Sequence, residues 1–459
     1  MRFSNGWFAV ALAVAVVPSF VRAQEPASAQ RVRGDRVGEE QRASSVERHG
    51  ITWRFDAPHT VGEFVNGDPW VKGPVRIVDI LPKCVETDGR VLHGSMVDPD
   101  PSTMLQGYDS GMFGDEKRER YRADKNVALG VSREHPLVLE AGQSLVSVES
   151  RPEAKAMPTL KTAAVLTCVA DAPAPDAFRP PFVRGDQKVR HRAVDLDFRV
   201  LRKLKTVGDA PSFDEVARGF ERVWIDHFPE WPVRYAHPAD SMPDYGRDIA
   251  SLVGSGALLL NSDASNEKKR ELLVRMVQVG IDLHGCLRSG CRWPGLGGHG
   301  HGRKFPILLA GAVLHDEAML AIGREFGIGK RPGAEKNSFF GEDTQTFVVM
   351  ETSPGVWNGG HGGYTREHDG LPEWGFEHAD RPESDRASWT ENSYRRCCTA
   401  NAWVGEVLAA RVMGLQDAWN HPPLFAYMDR YMQVKPEEAW HRAWVPWHGA
   451  MWDEYRKKF

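Results

Sequence analysis

The spacing of hydrophobic residues changes once along the chain, from strand-like alternation to a helical repeat. Within residues 49–172, short runs rich in β-branched residues stand between turn-forming Gly, Pro, Asn and Asp. These runs predict strands at 51–55, 61–65, 75–81, 137–139, 145–148 and 163–169. Strands at such close spacing are typical of a β-sandwich-like domain, whereas residues 93–126 have no clear period and predict a long loop.

Residues 173–194 are rich in proline and predict a linker, after which the apolar spacing becomes helical. Ser212 and Glu215 form a capping box at the first of these helices. The predicted helices cover 213–224, 244–260, 267–283, 306–326, 399–413 and 424–432. We therefore expect a mainly α fold. It would be an incomplete (α/α) toroid or barrel of antiparallel helix pairs over residues 195–459, preceded by the smaller β-sandwich-like domain over residues 49–172.

The first 23 residues have the pattern of a secretory signal peptide. Arg2 precedes an apolar run over residues 7–17, and Ala23 ends a small-residue cleavage site. This run is short for a membrane span, although an uncleaved anchor is the alternative. We expect a secreted or periplasmic protein with no membrane span after signal removal. Residues 24–48 have few large apolar side chains and predict a disordered spacer.

Charge and cysteine content narrow the possible partners. The chain has 58 Lys and Arg against 62 Asp and Glu, a net charge of −4, which argues against a nucleic-acid partner. An exported chain can form disulfides, and Cys286 and Cys291 stand close enough to close one loop. Its six cysteines include no C-x-x-C pair, so structural disulfides or buried thiols are favoured over zinc. No cofactor is expected.

Three loops between the predicted helices concentrate polar groups. The first, residues 297–304, places His299, His301, Arg303 and Lys304 among glycines just before a helix. Glycines let a backbone pass close to a ligand, and a helix N-terminus favours an anion, so this loop predicts a carboxylate receptor. A solvated glycine loop and a His-x-His zinc site are the alternatives.

The second loop, residues 357–364, surrounds Trp357, Asn358, His361 and Tyr364 with glycines. Asn358 and His361 could bond a carboxylate and Trp357 could stack on a sugar ring. A glycine-rich turn over a buried Trp explains the same pattern equally well.

The third loop, residues 392–401, holds Tyr394, Arg395 and Arg396 at the entry to a helix. Neighbouring positive charge makes a tyrosine phenolate more accessible, although a core Tyr beside surface arginines is the alternative. Tyr245 and Arg247 form a fourth, similar pair at the start of their helix.

Arg, His, Asn and Tyr together suit β-elimination from a uronic-acid polymer. The reaction removes the weakly acidic proton beside the carboxylate, so the enzyme must neutralise that carboxylate and supply a base and an acid. Hydrolysis would require two positioned carboxylates. Candidates for such a pair are Glu351, Glu367, Asp369, Glu373 and Glu377.

On these motifs, residues 195–459 resemble the polysaccharide lyases that act on alginate or glucuronan with an (α/α) toroid. The resemblance implies an anionic polysaccharide substrate, with His361 and Asn358 neutralising the carboxylate together with Arg303 or Arg396. It also implies Tyr394 as the acid, with Tyr364 as a rival, and His299 or His301 as the base. The expected substrate-binding residues are Trp357, Tyr364, Arg395, Lys304, Tyr245 and Arg247.

Three other functions remain open at this point. One is a glycoside hydrolase on an (α/α) scaffold. Another is a non-catalytic carbohydrate-binding protein using Trp357, Trp374 and Trp389. The third is a metal-dependent hydrolase using His299, His301 or His361.

Overall fold

Residues 42–169 contain a curled, mixed β-sheet. The computed structural model describes residues 41–113, 120–153, 157–229, 231–295, 297–327, 339–348, 369–374, 398–433 and 440–459. The strands of the front region are β1 (Arg42–Arg48), β2 (Ile51–Glu63), β3 (Pro69–Lys72), β4 (Val75–Leu81), β5 (Val85–Thr87), β6 (Arg90–Leu92), β7 (Ser95–Val97), β8 (Leu137–Leu139), β9 (Ser144–Ser150) and β10 (Leu160–Val169).

Seven strands follow the order β7-β9-β10-β3-β2-β4-β8, and β1 pairs with β2 beside them. The β10–β3 pair is parallel, and the other pairs of this sheet are antiparallel. Ile51, Trp53 and Phe55 alternate with more exposed residues along β2, as expected for a strand with one buried face. The sheet curls into a half-barrel.

Strands β9 and β10 join the sheet to the helices because both of their faces are buried. Leu145 and Leu166 pack with the sheet's own core, whereas Val146 and Val165 pack in the large core that the helices fill. Arg179, fully buried, bonds Asp68 before β3 at 2.7 Å and a helical Asp282 at 2.6 Å. Residues Glu40–Phe459 accordingly form one compact unit.

The helices occupy the second half of the described residues. They are α1 (Phe213–Arg218), α2 (Gly246–Leu260), α3 (Asn266–Arg288), α4 (Lys304–Leu314), α5 (Glu317–Leu320), α6 (Ile322–Glu325), α7 (Gly341–Gln345), α8 (Ala400–Val412), α9 (Gln416–Trp419), α10 (Pro422–Tyr431) and α11 (Pro446–Tyr455). A two-stranded sheet of β11 (Thr346–Val348) and β12 (Pro372–Trp374) lies among them. The Ser212 cap accepts a hydrogen bond from the backbone N–H of Glu215, as the capping box predicts.

Close packing of α2 on α8 brings the middle of the helical region together. A Cβ on Gly254 would lie 3.0 Å from the Cα of Gly405 and from the backbone nitrogen of Glu406. The helices therefore meet at a point where only glycine fits without displacement.

The prediction of a mainly α fold is wrong. About 36% of the chain is helical and 21% is strand, with a large half-barrel sheet in the N-terminal region. The helical spacing of apolar residues correctly predicted α2, α3, α8 and α10, but it overestimated helix length at α1 and over residues 306–326. The predicted helix over 306–326 breaks into α4, α5 and α6, because His315 adopts the left-handed conformation at φ 54° and ends α4.

Of the two alternatives left open for the cysteines, Cys286 and Cys291 are free, buried thiols and do not form a disulfide. Burial raises the pKa of each thiol well above its usual value. The backbone closes this turn instead, because the N–H of Cys291 donates to the carbonyl of Cys286 at 2.9 Å. Cys398 is disulfide-bonded.

Among the described residues, no helix combines the length and the apolar character that a membrane span requires.

Candidate functional site

The loop of residues 297–303 lies between α3 and α4 and packs against its own chain. A Cβ on Gly298 would lie 2.1 Å from the carbonyl oxygen of Cys398 and 2.7 Å from the hydroxyl of Tyr245. A Cβ on Gly300 would lie 2.1 Å from the carbonyl oxygen of Pro294. These glycines therefore admit close contact with other parts of the protein, whereas the sequence suggested close contact with a ligand.

The buried side chain of Arg303 holds this loop in place. Its side chain is fully buried, and its Nε donates to Asp226 Oδ2 at 2.6 Å. A second guanidinium nitrogen donates to the carbonyl oxygens of His299 (3.1 Å) and His301 (2.5 Å). Burial alone would raise the pKa of Asp226, but Arg303 and His237 hold it below its usual value. Arg303 is thus a buried ion-pair partner in this structure.

His301 and His299 face different surroundings, although only one residue separates them. His301 is fully buried, with Nε2 at 2.9 Å from Gln345 Oε1. Burial lowers the pKa of His301 to about 3, so its imidazole is neutral at physiological pH. His299 is partly exposed. Of the two candidate bases, His299 is the one that a polymer can contact in this structure.

Lys304 lies fully buried at the start of α4. Its ammonium pairs with Asp343 and donates to the carbonyl oxygen of Trp419 at 2.7 Å. The hydrogen-bond acceptor at this helix start is internal, because Glu342 Oε1 accepts the N–H of Gly302 at 2.5 Å. The predicted carboxylate receptor thus has the expected chemistry, but it holds a carboxyl group of the protein itself.

Glu342 also contacts Glu406 of α8, and both side chains are fully buried. Burial raises the pKa of Glu342 to about 7 and that of Glu406 well above its usual value. Two carboxyl groups in contact cannot both ionise cheaply, so the pair retains at least one proton near neutral pH.

A partly exposed cluster of aromatic and cationic side chains lies above this buried layer. We call it the Tyr245 cluster, comprising Arg234, Tyr245, Arg247, His299 and Trp444. The His299 ring meets the Tyr245 ring edge-on, with centroids 4.9 Å apart. The guanidinium carbons of Arg234 and Arg247 lie 4.6 Å and 5.5 Å from the Tyr245 ring centroid, and that of Arg247 lies 3.9 Å from the Trp444 ring. The five side chains thus form one continuous surface that is half open to solvent.

Hydrogen bonds connect this cluster to the buried layer. The Tyr245 hydroxyl accepts the N–H of Gly298 at 2.9 Å. His237 bonds Asp226 through Nε2 at 3.1 Å and the carbonyl oxygen of Asp244 through Nδ1 at 2.9 Å. Because Asp226 also holds Arg303, one buried carboxylate positions both the loop and the backbone that precedes Tyr245. Asp226 and His237 are therefore positioning residues.

Acidic neighbours orient the two guanidinium groups. Arg234 bonds Asp244 at 2.5 Å and 3.1 Å, and Arg247 bonds Asp248 at 2.9 Å and 3.3 Å. These bonds fix the plane of each guanidinium group beside the Tyr245 ring.

The structure thus brings together Tyr245, Arg247 and His299 of the predicted residues, and it places His301, Arg303 and Lys304 beneath them. The remaining predicted site residues lie outside the described residues: Tyr394, His361, Asn358, Arg396, Trp357, Tyr364 and Arg395. The same is true of Glu351, Glu367, Glu377 and Trp389.

Other candidates for the alternative functions are accounted for by packing. Trp374 is fully buried, and buried Glu373 pairs with Arg430. Asp369 is exposed. Within the described ranges, no group of three His, Cys, Asp or Glu side chains is arranged to hold a metal ion.

Sequence reasoning missed Arg234, Trp444, Asp226 and His237. Each stands alone in an irregular segment without a motif, and contacts across 53 to 77 positions bring the loop to Tyr245 and to Asp226. No family model matches the chain, and it has no match among curated proteins or solved structures.

Proposed function

We propose that this protein is an exported polysaccharide lyase that cleaves a uronic-acid-containing polymer by β-elimination. The observation that carries the proposal is the contact between Tyr245 and His299 beneath two guanidinium groups on a partly exposed surface. Export rests on the signal-like pattern of residues 1–23.

Neutralising the substrate carboxylate is the first requirement of this reaction. Arg234 and Arg247 present cationic groups at the cluster surface, with side chains 21% and 23% exposed. Their positive charge would stabilise the carbanion-like charge that develops when the adjacent proton is removed. Trp444, stacked on Arg247, would offer an apolar face to a sugar ring.

Proton transfer is the second requirement. We assign His299 as the base that takes the proton from the ring carbon bearing the carboxylate. The electron pair of that C–H bond forms the new ring double bond, and the glycosidic C–O bond breaks. Tyr245 then gives its proton to the departing oxygen, and Gly298 supports the phenolic oxygen through its N–H. Tyr394, which the sequence alone suggests, is the alternative acid.

The carboxyl pair of Glu342 and Glu406 does not favour hydrolysis. Both are fully buried and contact each other. Glycosidases instead separate their two carboxyl groups by at least about 5 Å across the scissile bond.

Matched variants test the assignment. With alginate and glucuronan as substrates, Tyr245→Phe and His299→Ala should each lower kcat at least a hundredfold, because each removes a proton-transfer group. Tyr455→Phe is the control, since it also removes a tyrosine hydroxyl, which bonds the Lys205 carbonyl. Elimination that persists at the wild-type rate in both site variants would overturn the assignment.

A further inference from the structure

A second concave site lies on the helical region. It is a cavity of about 470 Å³ between residues 178–191, the last two turns of α3 and the start of α5. Its apolar floor includes Phe178, Pro181, Ile281 and Met319. We call it the basic pocket because its rim carries mainly cationic side chains.

The rim cations are Arg184, Lys188, Arg190 and Arg288. Three of them already have acidic partners: Arg184 bonds Asp100 at 3.3 Å, Arg190 pairs with Asp186, and Arg288 pairs with Glu325. The fourth, Lys188, is exposed, and its ammonium makes no ion pair within the described part of the chain. Lys188 is thus available to an incoming anion.

His284 forms part of the wall of the basic pocket. Its Nε2 is inaccessible to solvent and has no hydrogen-bond partner among the described residues. Burial lowers the pKa of His284 to about 4, with smaller effects from Asp316, Arg288, Glu325 and His191, so the imidazole is neutral near pH 7. Because this Nε2 nitrogen is enclosed by the protein, His284 shapes the wall of the pocket, and Lys188 is the group placed to bond a carboxylate.

The pocket is held in shape by the segment that forms its floor. Arg179 exchanges backbone hydrogen bonds with the Gln278 amide at 3.0 Å and 3.1 Å, and its side chain pairs with Asp282. Pro181 packs directly against Gly285, because a Cβ on that glycine would lie 2.3 Å from the Cβ of Pro181. Because this framework is preformed, little ordering cost opposes binding.

We propose that the basic pocket binds one carboxylate-bearing sugar unit, with Lys188 on the carboxylate and the apolar floor against the ring. The volume is within the usual range for a small-molecule site. An inorganic anion would leave the apolar floor uncovered, whereas a sugar ring would cover it. The pocket would serve as an additional substrate subsite, and this part of the inference rests on the proposed function.

Calorimetric titration with sodium glucuronate tests the pocket directly, with glucose as the neutral probe. Every protein carries Arg234→Gln and Arg247→Gln, which remove both cationic groups of the Tyr245 cluster, so that binding there does not contribute. Lys188→Gln should weaken glucuronate binding at least fivefold, and Ala318→Trp, at an exposed lining position, should abolish it by filling the cavity. Lys83→Gln, a lysine 69% exposed on the sheet, is the charge-matched control and should change nothing.

Unchanged glucuronate binding in both pocket variants would overturn the proposal, and so would glucose binding of equal strength. The polymer assay separates this failure from failure of the proposed function. Ala318→Trp is also tested in the otherwise native protein. If this variant still eliminates the polymer with an unchanged KM, the subsite is refuted and the lyase proposal stands. If the pocket variants lose glucuronate binding but the protein cleaves no uronate polymer by elimination, the pocket is supported and the lyase proposal is refuted.

Discussion

The ion pair between Asp226 and Arg303 predicts a large effect for Asp226→Asn. Asp226 accepts two hydrogen bonds from Arg303, at 2.6 Å and 3.2 Å, and Arg303 is fully buried. An amide has the size of the carboxylate but cannot neutralise the guanidinium. The variant therefore leaves a buried charge without its counterion, which costs about 3–5 kcal/mol.

That cost lowers the folding equilibrium constant by roughly 10²-fold to 4 × 10³-fold, since about 1.4 kcal/mol corresponds to a factor of ten. For a unit of about 420 residues it lowers Tm by about 3–6 °C, given an unfolding entropy of about 2.1 cal/mol/K per residue. Urea unfolding followed by tryptophan fluorescence measures the free energy, and scanning calorimetry measures Tm.

Two further proteins make this test specific. Asp240→Asn removes the acid of an exposed pair with Arg222 at 3.2 Å and should cost less than about 1 kcal/mol. Combining Asp226→Asn with Arg303→Met removes the unpaired charge and should recover about 2 kcal/mol. A single Asp226→Asn variant within about 1 kcal/mol of wild type would refute the ion-pair reasoning.

Two other substitutions test the loop and the buried histidines. Gly298→Ala should lower activity at least tenfold by displacing Tyr245, whereas Gly449→Ala, whose nearest neighbour would be 3.6 Å away, should have no effect; equal activity in both would contradict this account. Burial lowers the pKa of His227 to about 3, below the unfolded value of about 6.5, so stability is lost as pH falls through that window. His227→Phe should therefore gain about 2 kcal/mol relative to wild type on going from pH 7.5 to pH 5, as urea unfolding would show, and a pH-independent difference would contradict the assignment.

The strands and long helices could be predicted because their signals are local. The β-branched run over 75–81 became β4, and the apolar stripe over 267–283 lies within α3. The fold class could not be predicted, because a curled sheet and its junction with the helices depend on contacts between residues far apart in the sequence. β9 and β10 are buried on both faces only because helices cover them.

The site was predicted in part for the same reason. The motif around residues 297–304 marks a loop that contacts Tyr245, and Arg247 lies beside that ring. However, cations in a glycine loop look identical in sequence whether they face solvent or a buried acid. The partners that settle the matter stand 77 positions away for Arg303 and 39 positions away for Lys304.

The central claim is elimination from a uronate polymer at the Tyr245 cluster. The most direct test is the ultraviolet absorbance of the unsaturated product together with reducing ends, using protein from Gln24 onward, uronate polymers and neutral glycans. We expect absorbance to rise together with reducing ends on a uronate polymer, and Tyr245→Phe to abolish both signals. Reducing ends without absorbance, or cleavage of neutral glycans alone, would contradict it.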